Sequence, residues 1–444
     1  MTDTYDLILQ GGTVVNQDGE HRADVGVKDG KTAFIGKLDA GQGGEVIECT
    51  GLHILPGVID SQVHMREPGM EEKEDLEAGG RAAVLGGVTA VFEMPNTKPN
   101  TTTSDALADK VRRGTDRMFC DFAFYVGGTA ENAETLPELE NEPGCCGVKV
   151  FMGSSTGTLL VADDGGVRHV LQHGRRRVAF HSEDEFRLRE RRELAVFGDV
   201  KTHPVWRDVE AAVMCTKRLL SLAQEVGRRI HVLHISTAEE LPILAQHKDV
   251  ATVEATPQHL TLAAPDCYDE LGTFAQMNPP IRDARHREGL WNAVAQGIVD
   301  VVATDHAPHL KHEKEQAYPK SPSGMPGVQT FVPIMLDHIN AGRLTLERFV
   351  DLACHGPQRV FGVAGKGRLA VGYDADFTVV DMQKKTVIQN EWIASKCGWT
   401  PYAGKQVTGW PKGTIIRGRK VMWEDEILGA AGGRAVRFQE TLGR

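Results

Sequence analysis

The stretch Pro56-Gly57-Val58-Ile59-Asp60-Ser61-Gln62-Val63-His64-Met65-Arg66-Glu67-Pro68-Gly69 starts apolar and ends in side chains that carry chemistry. The run from His53 to Ile59 predicts a buried strand over 53–60, interrupted by one Pro-Gly pair and closed off by a second. Gln62 and His64 are two residues apart, so in an extended chain they point to one face, and Arg66 follows in the same phase. Packing alone gives no reason for a polar, metal-capable face at the exit of a buried strand. A surface turn that happens to hold one histidine is the alternative, and the less favoured one, for this stretch taken alone.

Outward from it, strand and helix alternate. Further strands are predicted at 88–94, 120–126, 147–152, 177–181, 229–235, 251–256 and 299–305. Helical spacing separates them at 73–86, 104–113, 206–226 and 283–297. In 206–226 the positions Val209, Ala212, Val213, Leu219, Leu220 and Ala223 mark one buried face. Eight strands alternating with helices fit an α/β fold of the (β/α)8 TIM-barrel type better than an open doubly wound sheet. The open sheet calls for a glycine-rich phosphate loop after its first strand, and none follows here.

Residues 5 to about 50, together with 368–381 and 414–422, are short apolar pieces broken by Gly-containing turns, which read as antiparallel strands. The expected organisation is a barrel over 53–365 beside a small β-sandwich domain built from 1–52 and 366–444. His309–Gly327, with its charges and prolines, falls where a loop over the barrel mouth belongs.

Barrels of this kind keep their sites at the C-terminal ends of the strands. Those ends hold a non-random set: Gln62 and His64 on the first, Glu93 to Thr97 on the second, Lys149 on the fourth, His181 on the fifth, His234 on the sixth, Asp305 on the eighth. Singly each is ordinary, since a lone histidine at a strand end is more often a satisfied polar residue and a lone lysine more often salt-bridged. Together, imidazoles and a carboxylate converging on one mouth suit Zn²⁺ or a similar divalent ion. His231 and His306 are out of phase with these ends and read as structural.

Composition narrows the function classes. The 444 residues are 41% hydrophobic and 25% charged, ordinary for a globular enzyme. Fifty Lys+Arg against 61 Asp+Glu give −11, which argues against a nucleic-acid or anionic-membrane partner. A small anionic substrate remains compatible, because a local arginine binds a carboxylate inside an acidic protein. Eight cysteines without a Cys-x-x-Cys read as free thiols in a reducing compartment. No secretory leader and no apolar run of about 20 residues is visible, so a cytoplasmic protein is expected.

Asp60 to His64 resembles the Asp-x-His-x-His motif of the cyclic-amide hydrolases of the amidohydrolase superfamily, with Gln62 in place of the first metal-ligand histidine. His64-Met65-Arg66-Glu67-Pro68-Gly69 resembles the dihydroorotase group in particular, and the resemblance extends over nearly the whole chain. It implies a bridging lysine carboxylated on its side-chain nitrogen, at Lys149; an aspartate of Asp163-Asp164-Gly165 is the alternative bridge. It further implies one metal on His181 and His234, another on His64 and Asp305, and Asp305 as the catalytic proton carrier. Arg66, Asn96, Asn278 and His309 match substrate-binding positions. An amide oxygen is a weaker zinc ligand than imidazole, so one Zn²⁺ is expected tightly bound and a second weak or absent. The implied reaction interconverts N-carbamoyl-L-aspartate and L-dihydroorotate in pyrimidine biosynthesis. A hydantoinase or allantoinase is the alternative, although hydantoinases usually place a tyrosine where Ser154-Ser155 stand and need no anchor like Arg66. A homo-oligomer is expected. A weakly active subunit partnering aspartate transcarbamoylase is the remaining reading.

Overall fold

The computed structural model describes residues 5–153 and 159–442; Ser154 and Ser155, weighed above against a tyrosine, lie outside them. Eight strands, β1 (Val58–Val63), β2 (Val88–Glu93), β3 (Asp121–Gly127), β4 (Cys145–Phe151), β5 (Val178–His181), β6 (Ile230–Val232), β7 (Ala251–Ala255) and β8 (Val301–Val302), pair in parallel and in chain order. A parallel bridge between Val63 and His306 closes the sheet, and His64 N donates to His306 O at 2.7 Å. The expected (β/α)8 barrel is therefore the observed one. Its strands are continuous apolar runs rather than alternating ones because helices cover one face and the barrel interior the other.

The predicted strand over 53–60 is two strands. His53–Pro56 pairs antiparallel with Phe377–Val387 in a terminal sheet, and only from Val58 does the chain enter the barrel. Gly57 is the switch. A Cβ there would meet Thr89 Oγ1 at 2.3 Å, and its N–H donates to Asp376 O at 2.8 Å. The predicted strands over 229–235 and 299–305 shrink to β6 and β8, because the chain turns toward the mouth as soon as each has crossed the barrel.

Four helices match their expected places, α1 (Leu76–Leu85), α2 (Ser104–Gly114), α4 (Val209–Val226) and α5 (Ala284–Ala295), and α3 (Asp164–Gln172) is added between β4 and β5. Asp75, Thr103, Asp163, Asp208 and Asp283 cap them, each side chain accepting from a first-turn N–H. Asp163 is thereby committed to α3, and Asp164 pairs with Arg218 at 3.1 Å. Neither aspartate lines the cleft described below.

Two further sheets come from the chain ends. A seven-stranded sheet interleaves Thr13–Asn16 and His53–Pro56 with Phe377–Val387, Gln406–Ile416 and Arg419–Trp423, while a four-stranded sheet uses N-terminal strands alone. Leu9, Val25, Ile54, Phe377, Val379 and Ile415 form their common core, which makes the pair a sandwich.

The barrel floor is filled. Phe361 meets Phe92 edge-on at 5.5 Å and Tyr125 at 6.0 Å, and Phe438 meets Phe92 at 5.9 Å. Burying one such ring contributes about 1.5–3 kcal/mol. With the floor plugged, the mouth is the open end. Among the described residues no helix is long and apolar enough to cross a membrane.

Candidate metal and substrate site

The strand ends converge as expected. One cleft is lined by Gln62, His64, Arg66, Lys149, His181, His234, Asn278 and Asp305, with Phe151, Ala307, Ser323 and Gly324. A second recess, opening beside it, is lined by Asn96 and His309 and shares Arg66. All nine residues singled out in the sequence, and Gln62 with them, therefore sit at one mouth, Asn96 and His309 one step outward from the rest.

Three residues at this mouth adopt positive φ: Arg66 (64°), His234 (37°) and Asp305 (47°). For a side chain with a Cβ that conformation costs on the order of 1 kcal/mol or more, and such strain collects at functional sites.

Histidine tautomers follow from the partners. His64 Nδ1–H donates to Asn96 Oδ1 at 2.9 Å, which leaves Nε2 as a bare lone pair 3.1 Å from Asp305 Oδ1. Burial holds the His64 pKa below its ordinary value, so the ring is neutral and two acceptors face each other. His181 Nε2–H donates to Glu183 at 2.8 Å, and Arg207 grips the same carboxylate, Nε reaching Oε1 at 3.1 Å. Arg207 and His181 hold Glu183 well below the usual carboxylate range against its burial. His181 Nδ1 is thus turned to the cleft, 3.1 Å from His234 Nε2, and His234 Nδ1 has no partner among the described residues.

These contacts suit a divalent cation. Two ligand atoms held at about 2.0–2.1 Å on a tetrahedral ion stand about 3.3 Å apart, close to both 3.1 Å separations. A histidine whose other nitrogen is fixed by a carboxylate or amide is the usual orientation of a metal ligand. Among the described residues no three His, Cys, Asp or Glu side chains form a metal-binding group, so each pair needs the lysine to complete a set. Lys149 is fully buried, its ammonium lies 4.5 Å over the Phe151 ring, and desolvation brings its pKa down to about 7.

Arg66 is the cleft's permanent cation. It is 4% exposed, and burial lowers its pKa only to about 10, so it stays charged at neutrality. Its Nε donates to Pro308 O at 3.1 Å. Lys73 Nζ donates to His309 Nδ1 at 3.3 Å, so the His309 proton is on Nε2 and goes to Ser323 O at 3.1 Å. Arg66 Nη2, 3.1 Å from that same nitrogen, finds no acceptor there. No carboxylate pairs with Arg66 among the described residues.

Sequence reasoning missed several supports. Glu183 is in phase with His181 and was legible; Arg207, its partner, has no local signal. Glu254, under Lys149 on β7, is buried with its pKa pushed up to about 8 and lies 3.3 Å from His231. His231 also meets Thr252 Oγ1 at 2.8 Å, and His306 Nδ1 accepts from Gly327 N at 3.0 Å, so both are structural as expected.

Comparison with known proteins agrees with this geometry. The amidohydrolase family matches residues 53–421. A dihydroorotase of Halobacterium salinarum is 36% identical, covering 97% of this chain and 99% of its own length. An L-hydantoinase of Paenarthrobacter aurescens is 31% identical, covering 96% of each. The solved L-hydantoinase of Arthrobacter aurescens superposes with a TM-score of 0.92 at 29% identity, over 98% of this chain and all of that one. Members of the family are metal-dependent hydrolases. A closed barrel, a terminal sandwich and histidine pairs turned into one mouth are thus this chain's own form of a shared plan, and the chain belongs to the amidohydrolase family.

Proposed function

We propose that the protein opens and closes the cyclic amide of L-dihydroorotate, interconverting it with N-carbamoyl-L-aspartate. The observation that carries this is Arg66: a buried guanidinium whose Nη2 faces a protonated His309 nitrogen, and which has no carboxylate partner among the described residues, calls for an anion from outside. The dihydroorotase relatives support the same substrate.

The residues divide the work as follows. Arg66, with Asn96 and His309 beside it, binds the exocyclic carboxylate and sets the ring's orientation. Asn278, held by His203 Nε2 at 3.1 Å, faces the ring from the opposite wall. His181, His234 and a carboxylated Lys149 would hold one Zn²⁺, and His64 with Asp305 a weaker second. A bound ion supplies Lewis acidity, lowering the pKa of a water and polarising the amide carbonyl. Asp305 accepts the water's proton and returns it to the leaving nitrogen. Gln62 steadies that carboxylate, its Nε2 donating to Asp305 Oδ1 at 3.1 Å.

A substrate panel tests the assignment. kcat/KM on L-dihydroorotate should exceed that on dihydrouracil, hydantoin and allantoin; equal turnover of the uncharged rings would shift the reading to a hydantoinase, which the L-hydantoinase likeness favours. Gln62 favours one further reading, a weakly active subunit assembled with aspartate transcarbamoylase. The intact His64, Lys149, His181, His234 and Asp305 oppose it, since a scaffold has no physical need of them.

A further inference from the structure

At the opposite end of the barrel from the mouth, the chain segments just before β5 and β6 bring arginines together. A cavity of about 170 Å³ there is lined by Arg176, Arg177, Arg229 and Arg359, with Glu440 as the acidic side chain in its wall. Arg176 forms the floor of the cavity. It is 3% exposed, and its guanidinium donates to four backbone carbonyls while its Nε meets Glu440 Oε2 at 3.2 Å. That much is structural, and floor arginines of a barrel often do no more.

The other three are not used up in this way. Arg177 gives one N–H to Ile230 O at 2.7 Å, while its Nε is buried without any partner among the described residues. Among the described residues Arg229 pairs only with the far oxygen of Glu440, at 4.0 Å. Arg359 leans on Asp351 at 3.3 Å and Asp300 at 3.8 Å, but Arg348 already pairs with Asp351 and Lys248 with Asp300. Burial, with Arg229 and Arg359 nearby, brings the Arg177 pKa down to about 10, a sign of crowded positive charge. Among the described residues, Glu440 and two aspartates already shared with Arg348 and Lys248 cannot match four guanidiniums. A group with several anionic oxygens can, because each guanidinium fork takes two.

We infer that this cavity is a binding site for a multiply charged phosphate anion, and that Glu440 from the C-terminal tail occupies part of it in the free protein. Glu440 is half-exposed and belongs to a single short turn, Gln439–Thr441, so it is displaced at small structural cost. The site is remote from Arg66 and does not depend on the dihydroorotate reading.

Calorimetric titration of the full-length metal-loaded protein tests this, with inorganic pyrophosphate as probe and citrate and adenosine diphosphate in parallel. Glu440→Gln should tighten pyrophosphate binding several-fold, because it removes the internal competitor. Arg177→Gln with Arg229→Gln should weaken it about tenfold or more, as loss of charged hydrogen bonds does. Arg229→Gln alone, at an exposed position, covers the case in which the double variant misfolds, and should weaken it several-fold. Adenosine diphosphate binding tighter than pyrophosphate would mark a nucleotide as the source, and weaker binding a free phosphate. Equal affinity in all variants would place the anion at the mouth and overturn the site, as would no binding, or citrate binding where pyrophosphate does not.

Discussion

Gln62 Nε2 donates to Asp305 Oδ1 over 3.1 Å, while Gln62 Oε1 is buried with no partner among the described residues. The reverse orientation would set an amide oxygen against a carboxylate. The amide N–H therefore belongs to Asp305, and only a hard, weak oxygen donor is left over for a metal.

Metal occupancy should accordingly be asymmetric. Replacing imidazole by an amide leaves the formal charge of the site unchanged, so donor strength alone decides. The His181/His234 side, completed by a carboxylated Lys149, would be a three-ligand set with an open position, the usual catalytic arrangement. One metal should survive dialysis and the second should be lost. Gln62→His should retain both and raise activity at limiting metal, read by elemental analysis on the same sample as turnover. Two metals of equal affinity in the native protein would refute this account.

Carboxylation of Lys149 should depend on pH in a definite direction. The reaction joins the neutral amine to CO2, forming an N–C bond and releasing a proton. Desolvation brings the Lys149 pKa to about 7, so the reactive amine grows as pH rises through 7, where an ordinary lysine would remain protonated. Apoprotein incubated with bicarbonate and metal should regain activity faster at pH 8 than at pH 6, after correction for the CO2 present at each. Lys149→Ala should lose metal and activity, with partial rescue by short carboxylic acids. Full metal retention in that variant would remove the idea.

Arg66→Lys should be costly although it keeps the charge. An ammonium cannot form the two-pronged contact with a carboxylate, and a shorter reach leaves Pro308 O without its donor. The expected loss in kcat/KM on dihydroorotate is on the order of a hundredfold, about 2.7 kcal/mol. Unchanged kinetics would mean that the acid is bound elsewhere.

The parts of this molecule that could be read from the sequence are those with a local signal. β2, β3 and β4 are apolar runs ended by turn residues, and their observed bounds lie within two residues of the expected ones. His64, His181, His234 and Asp305 were legible because they sit at such ends. The division of 53–60 at Gly57 was not, since both halves are apolar and the change of partner from Phe377 to β2 is a long-range event. The Glu183–Arg207 pair and the Glu254–His231 contact were hidden for the same reason: burial of a charge is decided by a partner distant in sequence, which periodicity does not report.

Lys314 tests how that long-range order positions the mouth. It is fully buried, pairs with no carboxylate among the described residues, and donates to Gln276 O at 3.0 Å, Pro322 O at 2.8 Å and Gly324 O at 3.0 Å. Burial alone pushes its pKa well down, but three carbonyls match the three N–H donors of the charged form, which a neutral amine could not supply. The ammonium thus pins the loop over the mouth to the segment leading to Asn278. The loop fits closely there, since a Cβ on Gly324 would meet Ala307 O at 2.6 Å. Lys314→Met keeps the stem and removes the donors. Three buried carbonyls then lose their partner, at about 1–3 kcal/mol for each that water does not reach. Thermal stability should fall by several degrees. Because Ser323 and Gly324 line the cleft and Ser323 O holds His309, KM for dihydroorotate should rise more than kcat falls. Wild-type KM in a folded Lys314→Met variant would show that the loop is held by its other contacts.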